Sequence, residues 1–190
     1  MALASHSLFL AMWVAWLIYW LALSRSAKVS ARLEPWRSSV LHMGPLVLAG
    51  FLLGLPDLPV PFLGARFLPA AAWSFWSGAV LTAAGLLFTV WARLHIGRNW
   101  SAIVTIKLDH ELITSGPYAI VRHPIYTGLL LALAGSALAL GEWRGVLAVG
   151  IVFLGFWRKL GIEERWLREQ FGAAYQVYSQ RVAALVPYLL

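Results

Sequence analysis

PIYTGLLLALAGSALALGEWRGVLAVGIVFLGFW, residues 124–157, is the stretch on which the fold turns. Its only charges, Glu142 and Arg144, sit in a three-residue break between two apolar runs, 124–141 and 145–157. Neither run has the polar stripe that a surface helix of a soluble domain presents to water. A helix needs about 20 residues to cross a hydrocarbon core roughly 30 Å thick, with some tolerance for tilt and mismatch. The first run is near that length and the second is short, so the pair reads as a tight helical hairpin crossing a bilayer.

Three further runs upstream, 7–23, 40–55 and 73–92, contain no Asp, Glu, Lys or Arg. Together the runs predict an all-α polytopic membrane protein of about five transmembrane helices. Composition agrees, because 61% of the 190 residues are hydrophobic and only 12% are charged, unlike a soluble domain. Many of the eleven Trp residues lie near run ends (Trp13, Trp36, Trp73, Trp91, Trp143, Trp157), where indole rings suit the headgroup level. The absence of Cys excludes disulfides, thiolate metal sites and cysteine nucleophiles.

A net charge of +7 raises nucleic acid as a partner, but its carriers fall in short segments between the runs. Lys and Arg in such loops resist translocation. Arg25, Lys28, Arg32 and Arg37 follow the first run; Arg93, Arg98, Lys107 and Arg122 separate the third from the fourth; Arg158, Lys159, Arg165, Arg168 and Arg181 follow the fifth. The opposite loops hold Arg66 and Arg144 alone. This predicts an N-terminus outside, a C-terminus in the cytoplasm, membrane lipids as surroundings and no nucleic-acid partner. No basic residue precedes the first run, so it is expected to be a retained helix rather than a signal peptide, and the short loops suit a prokaryotic inner membrane. Without a repeat or linker the chain is expected to be one domain, with 1–90 supplying N-terminal helices and 91–190 the chemistry. The 57–69 loop, with Pro59, Pro61 and Pro69, is expected not to continue a helix, to lie at the outer interface and to carry no chemistry.

Polar side chains concentrate in 93–123 and 158–182, so a site is expected where these pieces meet. Ser115-Gly116-Pro117-Tyr118 is a turn signal, and Pro124 suits a first helical turn. The unpaired amides of that turn, beside Arg122, His123, Ile125 and Tyr126, could receive a carboxylate or phosphate; on spacing alone Arg122 and His123 more simply mark a positive membrane boundary. Glu163 and Glu164 stand among Arg158, Lys159, Arg165 and Arg168, and a solvated cluster with Glu164 and Arg168 paired at i,i+4 accounts for them equally simply. Leu167, Phe171, Tyr175 and Tyr178 continue the Glu163 side as an amphipathic helix expected to cover the first piece. His42 and His95 lack a second ligand at metal spacing, so no metal is expected. No GxGxxG, GxxxxGK[ST] or GxSxG is present.

Read in order, Trp91-Ala92-Arg93, Gly97-Arg98-Asn99-Trp100-Ser101, His110-Glu111-Leu112-Ile113-Thr114-Ser115-Gly116-Pro117-Tyr118, Arg122-His123-Pro124-Ile125-Tyr126-Thr127-Gly128, and Glu163-Glu164 with Phe171-Gly172, Tyr175 and Tyr178 cover about half the chain. This series resembles the isoprenylcysteine carboxyl methyltransferase and phospholipid methyltransferase families of integral membrane enzymes. The resemblance implies S-adenosylmethionine as cofactor, in a cytoplasmic pocket formed by the C-terminal half. Its ligands would be His110, Glu111, Leu112 and Ile113, then Tyr118, then His123, Pro124, Ile125 and Tyr126, and Glu163. The chemistry suits these positions: a carboxylate fits the amide-rich helix start, an ammonium fits Glu163, and the rings of Tyr118 and Tyr126 fit a sulfonium.

The acceptor so implied is a lipidic or prenylated small molecule entering from the membrane, with carboxyl methylation of an isoprenylcysteine-like substrate first. Arg122, Arg158, Lys159 and Glu164 are the catalytic candidates. Where the family carries a substrate-binding arginine one turn before the glutamate, this chain has Lys159 beside Arg158, a point charge in place of a planar fork. The alternatives are phospholipid N-methylation with His123 or Glu164 as base, an NADPH-dependent membrane reductase of the sterol type, and a non-catalytic membrane module. The oligomeric state is not legible.

Overall fold

The computed structural model describes residues 2–24, 30–33, 35–55, 60–100, 105–107 and 111–188, with backbone alone at 2–6, 24, 30–33 and 105–107. In chain order the elements are α1 (Ala2–Ser24), β1 (Ser30–Leu33), α2 (Trp36–Gly54), α3 (Pro61–Gly64), α4 (Ala72–Ile96), β2 (Thr105–Lys107), α5 (Pro124–Leu140), α6 (Trp143–Phe171) and α7 (Ala173–Arg181). The five apolar runs are the bodies of α1, α2, α4, α5 and α6, so the all-α membrane architecture holds. Three of these helices, α2, α4 and α6, are long and apolar enough to cross a membrane, while Ser7–Leu23 and Pro124–Leu140 are shorter apolar helices. The 17 residues of α5 make about 25 Å of helix at 1.5 Å per residue, a shortfall that local thinning of the bilayer absorbs.

Two ribbons tie alternate loops together. β1 pairs antiparallel with β2, so the segments after α1 and after α4 share one end of the bundle. Arg66 bridges Glu142 at the other end, where the Phe67 N–H donates to Gly141 O at 2.9 Å and the Trp143 N–H to Ala65 O at 3.2 Å. Helices that alternate in direction require this pairing of loops.

The tightest packing is α4 against α5, and glycine permits it. A Cβ on Gly85 would stand 2.5 Å from both Ala132 N and Gly128 O, and one on Gly135 would stand 2.5 Å from Thr82 N. Gly78 and Gly85 thus face Gly128 and Gly135 at heptad spacing, the small-residue contact by which membrane helices approach backbone to backbone. Inside this seam the Thr82 hydroxyl donates to Ala132 O at 3.2 Å and lies 3.2 Å from Ser136 Oγ. α6 meets α2 at another close point, where Gly155 faces the Pro45 ring.

Two expectations are corrected. The fifth run is not a short span, because α6 continues through it to Phe171, 29 residues in all; Glu163 and Glu164 therefore ride on the same rigid helix as the membrane segment. The amphipathic helix expected from Glu163 to Tyr178 is broken at Gly172, whose φ of 52° suits glycine, and α7 starts afresh. The 57–69 loop contains a helical turn, α3, with Pro61 at its N-terminal position where a missing N–H costs nothing. Phe62 stacks on Trp143 at 5.9 Å and Phe67 lies 5.3 Å from the same ring. This loop closes one end of the bundle; its residues 57–59 lie outside the described residues.

Candidate active site

His123 ends the turn before α5. The 3₁₀ turn Gly116–Ala119 buries Tyr118, and the chain then passes through Val121 and Arg122 into Pro124. The C-terminal segment holds this entry in place. The Arg122 N–H donates to Ala183 O at 2.8 Å and the His123 N–H to Ala184 O at 3.0 Å, while the Thr127 hydroxyl donates to Leu185 O at 2.7 Å. Neither helix pattern nor composition marks residues 183–185 as a strap. They supply carbonyls, which no side-chain pattern reports.

Two glutamates one residue apart on α6 point in different directions from His123. Glu163 accepts a hydrogen bond from the Tyr126 hydroxyl at 2.6 Å, and its carboxylate lies 3.5 Å from His123 Nδ1. Glu164 accepts from Arg122 at 2.9 and 2.5 Å and from Arg168 at 2.8 Å, with His123 Nε2 3.5 Å away. Arg122 also donates to Ser179 O at 3.0 Å and to Val182 O, which joins α5, α6 and the segment after α7. The i,i+4 pair expected from spacing is therefore present, but as one arm of a buried network. Glu163 faces Tyr126 and His123.

The electrostatics follow from this arrangement. Burial disfavours the imidazolium of His123, but Glu163 and Glu164 on its two sides outweigh that and hold it above its ordinary 6.5. Burial pushes the Tyr118 phenol up, helped by the negative charge of Glu163, and pushes Tyr178 up to about 12. The Tyr178 hydroxyl donates to Tyr118 O at 2.6 Å. These phenols stay protonated at neutral pH and act as rings and donors rather than bases.

His123, Tyr126 and Glu163 line the inner end of a cavity of about 2100 Å³, together with Tyr118, Pro124, Ile125 and Lys159. The cavity runs between α1, α2, α4, α5 and α6 as far as Arg66 and Glu142 at the opposite end of the bundle. The His123 and Tyr126 rings are stacked at 5.5 Å, and Lys159 Nζ lies 5.3 Å from the centre of the Tyr126 ring. A carboxylate, two stacked rings and an α5 start without a side-chain cap are a donor set that fits a zwitterionic sulfonium cofactor. Asn99 fits too, since its buried side-chain oxygen on this wall has no hydrogen-bond partner.

The other candidate residues are placed as follows. Glu164 and Arg122 sit behind His123, off the cavity wall. Arg158 is exposed on the far side of α6, where it donates to Ser38 Oγ at 2.8 Å; it does not join the cluster, whereas Lys159 does. Glu111 is exposed, and Leu112 and Ile113 are half-buried in the extended segment before the turn, away from the cavity lining. His110 lies outside the described residues. Among the described residues no group of His, Asp and Glu could hold a metal ion. Sequence reading missed Asn99 and the indoles of Trp13, Trp16 and Trp20, which also line the cavity; the 13, 16, 20 spacing, one face of a helix, was the available signal.

A helical membrane protein with a polar end to a largely apolar cavity between its helices defines the class. Residues 73–174, more than half of the chain, match the phospholipid methyltransferase family, and the chain belongs to that family. It is 30% identical over 129 residues to protein-S-isoprenylcysteine O-methyltransferase B of Arabidopsis thaliana, covering 65% of this chain and 66% of that protein. It is 34% identical over 99 residues to the protein-S-isoprenylcysteine O-methyltransferase of Schizosaccharomyces pombe, covering 50% and 42% respectively. The cobalt-zinc-cadmium resistance protein CzcN of Cupriavidus metallidurans is 32% identical over 117 residues, covering 60% and 52%. The matches thus span less than two thirds of the relatives' own lengths, and the relatives' names do not all point to one acceptor.

Proposed function

We propose that the protein is an S-adenosylmethionine-dependent methyltransferase whose acceptor is lipidic and reaches the site from within the bilayer. The observation that carries this reading is the junction of His123, Tyr126, Glu163 and Lys159 with an apolar cavity that extends through the bundle. A soluble acceptor needs no such chamber. Family membership and the names of the relatives support the reaction class.

Glu163, His123, Tyr118, Tyr126 and the start of α5 would hold the cofactor, which supplies a methyl group on a positively charged sulfur. Glu163 is oriented for this by the Tyr126 hydroxyl, and Arg122 acts behind it by fixing Glu164 and the chain entering α5. The rings of His123 and Tyr126 exclude water from the transfer path, and alignment of the two reactants is the main work left to the protein. A carboxylate acceptor attacks without losing a proton, so no base is required, and Lys159 on the cavity wall is the cation that would attract it. Carboxyl methylation of an isoprenylcysteine-like molecule is therefore the first reading.

Phospholipid N-methylation is the second, favoured by the position of His123 on the same wall, where its neutral imidazole could accept the proton that an amine must release, whereas Glu164 lies off the wall. In this reading and the first, 1–190 acts as one unit with its N-terminus outside and C-terminus cytoplasmic, as the Lys and Arg distribution supports. The test is transfer of labelled methyl, in detergent, to an S-prenylated cysteine and to phosphatidylethanolamine. Label in the cysteine ester supports the first reading and label in the amine the second. Label in neither, with donor bound, would overturn both.

A further inference from the structure

The first helix does more than cross the membrane. Trp13, Trp16 and Trp20 recur at three- and four-residue intervals, which puts them on one face of α1, and all three line the cavity half-buried. Trp16 and Trp20 are stacked at 4.8 Å, Trp13 meets Trp16 edge-on at 5.9 Å, and Trp20 meets Trp100 edge-on at 5.2 Å. Farther along, Phe9 meets Phe75 of α4 at 5.8 Å. Trp100, Trp20, Trp16 and Trp13 make an unbroken run of ring contacts that begins beside Asn99, and the Phe9–Phe75 pair stands about one helical turn farther along α1.

The polar edges of Trp13 and Trp16 are already engaged. The Trp16 indole N–H donates to Thr89 Oγ1 at 2.7 Å and the Trp13 N–H to Ser136 Oγ at 3.1 Å. Arg93 lies 4.5 Å from the centre of the Trp100 ring and donates to Leu23 O at the end of α1 at 2.7 Å. With N–H groups held by α4 and α5, the indoles offer the cavity carbon surface. Anchoring alone would not need three rings left open to the chamber. From Trp20 to Phe9 the wall is about 16 Å long at 1.5 Å of rise per residue.

We propose that this aromatic face of α1 is the specificity wall for the acceptor: a single apolar chain lies along Trp20, Trp16 and Trp13, and the Phe9–Phe75 pair limits its length. The inference rests on the methyltransferase reading and names the residues that select the acceptor's chain. Prenyl and saturated alkyl chains share the required chemistry, and the experiment separates them.

The measurement is kcat/KM for methyl transfer to N-acetylcysteines carrying S-prenyl or S-alkyl chains of increasing length. A cross-linking arm uses wild-type protein and an analogue with a diazirine at the chain end. Wild type is expected to gain in kcat/KM with each methylene that packs along the wall, by at most roughly fourfold where the acceptor is drawn from water as a monomer, and then to level off. Trp13→Ala and Trp16→Ala should lose the gain for long chains, Trp13→Phe should keep most of it, and Ile18→Ala, facing away from the cavity, should match wild type. None of these should alter S-adenosylmethionine affinity. A steeper rise with prenyl chains identifies the branched class, and equal rises identify chain length alone as the selected property. Cross-links should map to α1 between Phe9 and Trp20. Unchanged length profiles in the Trp variants, or cross-links confined to helices other than α1, would overturn the wall while leaving the donor site standing. Failure of wild type to bind the donor would instead overturn the methyltransferase reading itself.

Discussion

Replacing Gly85 by Ala tests the packing that sets the chamber's dimensions. The new Cβ would stand 2.5 Å from Ala132 N and Gly128 O, against an ordinary contact that begins at 3.4 Å. Both neighbours are backbone, so neither can rotate aside, and α4 and α5 must separate by about 1 Å. Overpacking of this kind costs about 1–3 kcal/mol. The better helix propensity of Ala offsets up to about 1 kcal/mol, and stretching the Thr82–Ser136 contact loses about 0.6 kcal/mol. The net expectation is a loss of about 1–2 kcal/mol, which at about 2–4 °C per kcal/mol for a chain of this size lowers the unfolding midpoint by several degrees. Thermal unfolding in detergent, followed by circular dichroism, reads this directly. Gly150→Ala is the matched control, because a Cβ there meets open space, and its midpoint should hold or rise. Equal midpoints for the two variants would refute the reasoning.

Arg122→Ala should cost roughly 1.5–3 kcal/mol, since the buried Glu164 carboxylate loses its hydrogen bonds from Arg122 while keeping Arg168, and thermal unfolding would reveal it. Tyr178→Phe removes the donor to Tyr118 O and should cost about 1 kcal/mol, with donor affinity weakened through the displaced Tyr118 turn. His123 is held above its ordinary value by Glu163 and Glu164, so its imidazolium stabilises the fold fully below about pH 6.5. That contribution disappears as pH rises through the raised value, and wild type should lose more stability than His123→Gln between mildly acidic and mildly alkaline pH. Parallel stability profiles for the two proteins would contradict this.

Much of this was legible in the sequence because membranes impose simple rules. Runs free of charge at 7–23, 40–55, 73–92 and 124–141 have no alternative to helix in hydrocarbon, and each is one. The fifth helix was misjudged because Arg158, Lys159, Glu163 and Glu164 end its apolar run, while the helix itself continues: backbone hydrogen bonding does not stop where hydropathy does. Gly172 is the stop signal that ends α6. Arg122, His123, Glu163 and Glu164 were legible as residues, but how they are shared was not. The separate directions of Glu163 towards Tyr126 and Glu164 towards Arg122 arise from successive positions on α6 lying about 100° apart. Arg158 was read beside Lys159 and lies on the other side of the helix for the same reason. The role of α1 is not legible because Trp13 suits a headgroup anchor as well as a cavity wall, and only the position of α4 and α5 shows that Trp13 and Trp16 turn inward.

Calorimetric titration of the detergent-purified protein with S-adenosylmethionine, S-adenosylhomocysteine and NADPH, in wild type and Glu163→Ala, tests the central claim most directly. Wild type should bind the first two and not the third. Glu163→Ala should lose roughly tenfold or more in affinity for both, the equivalent of one charge-assisted hydrogen bond. Binding of NADPH alone, or of none of the three by wild type, would contradict the account.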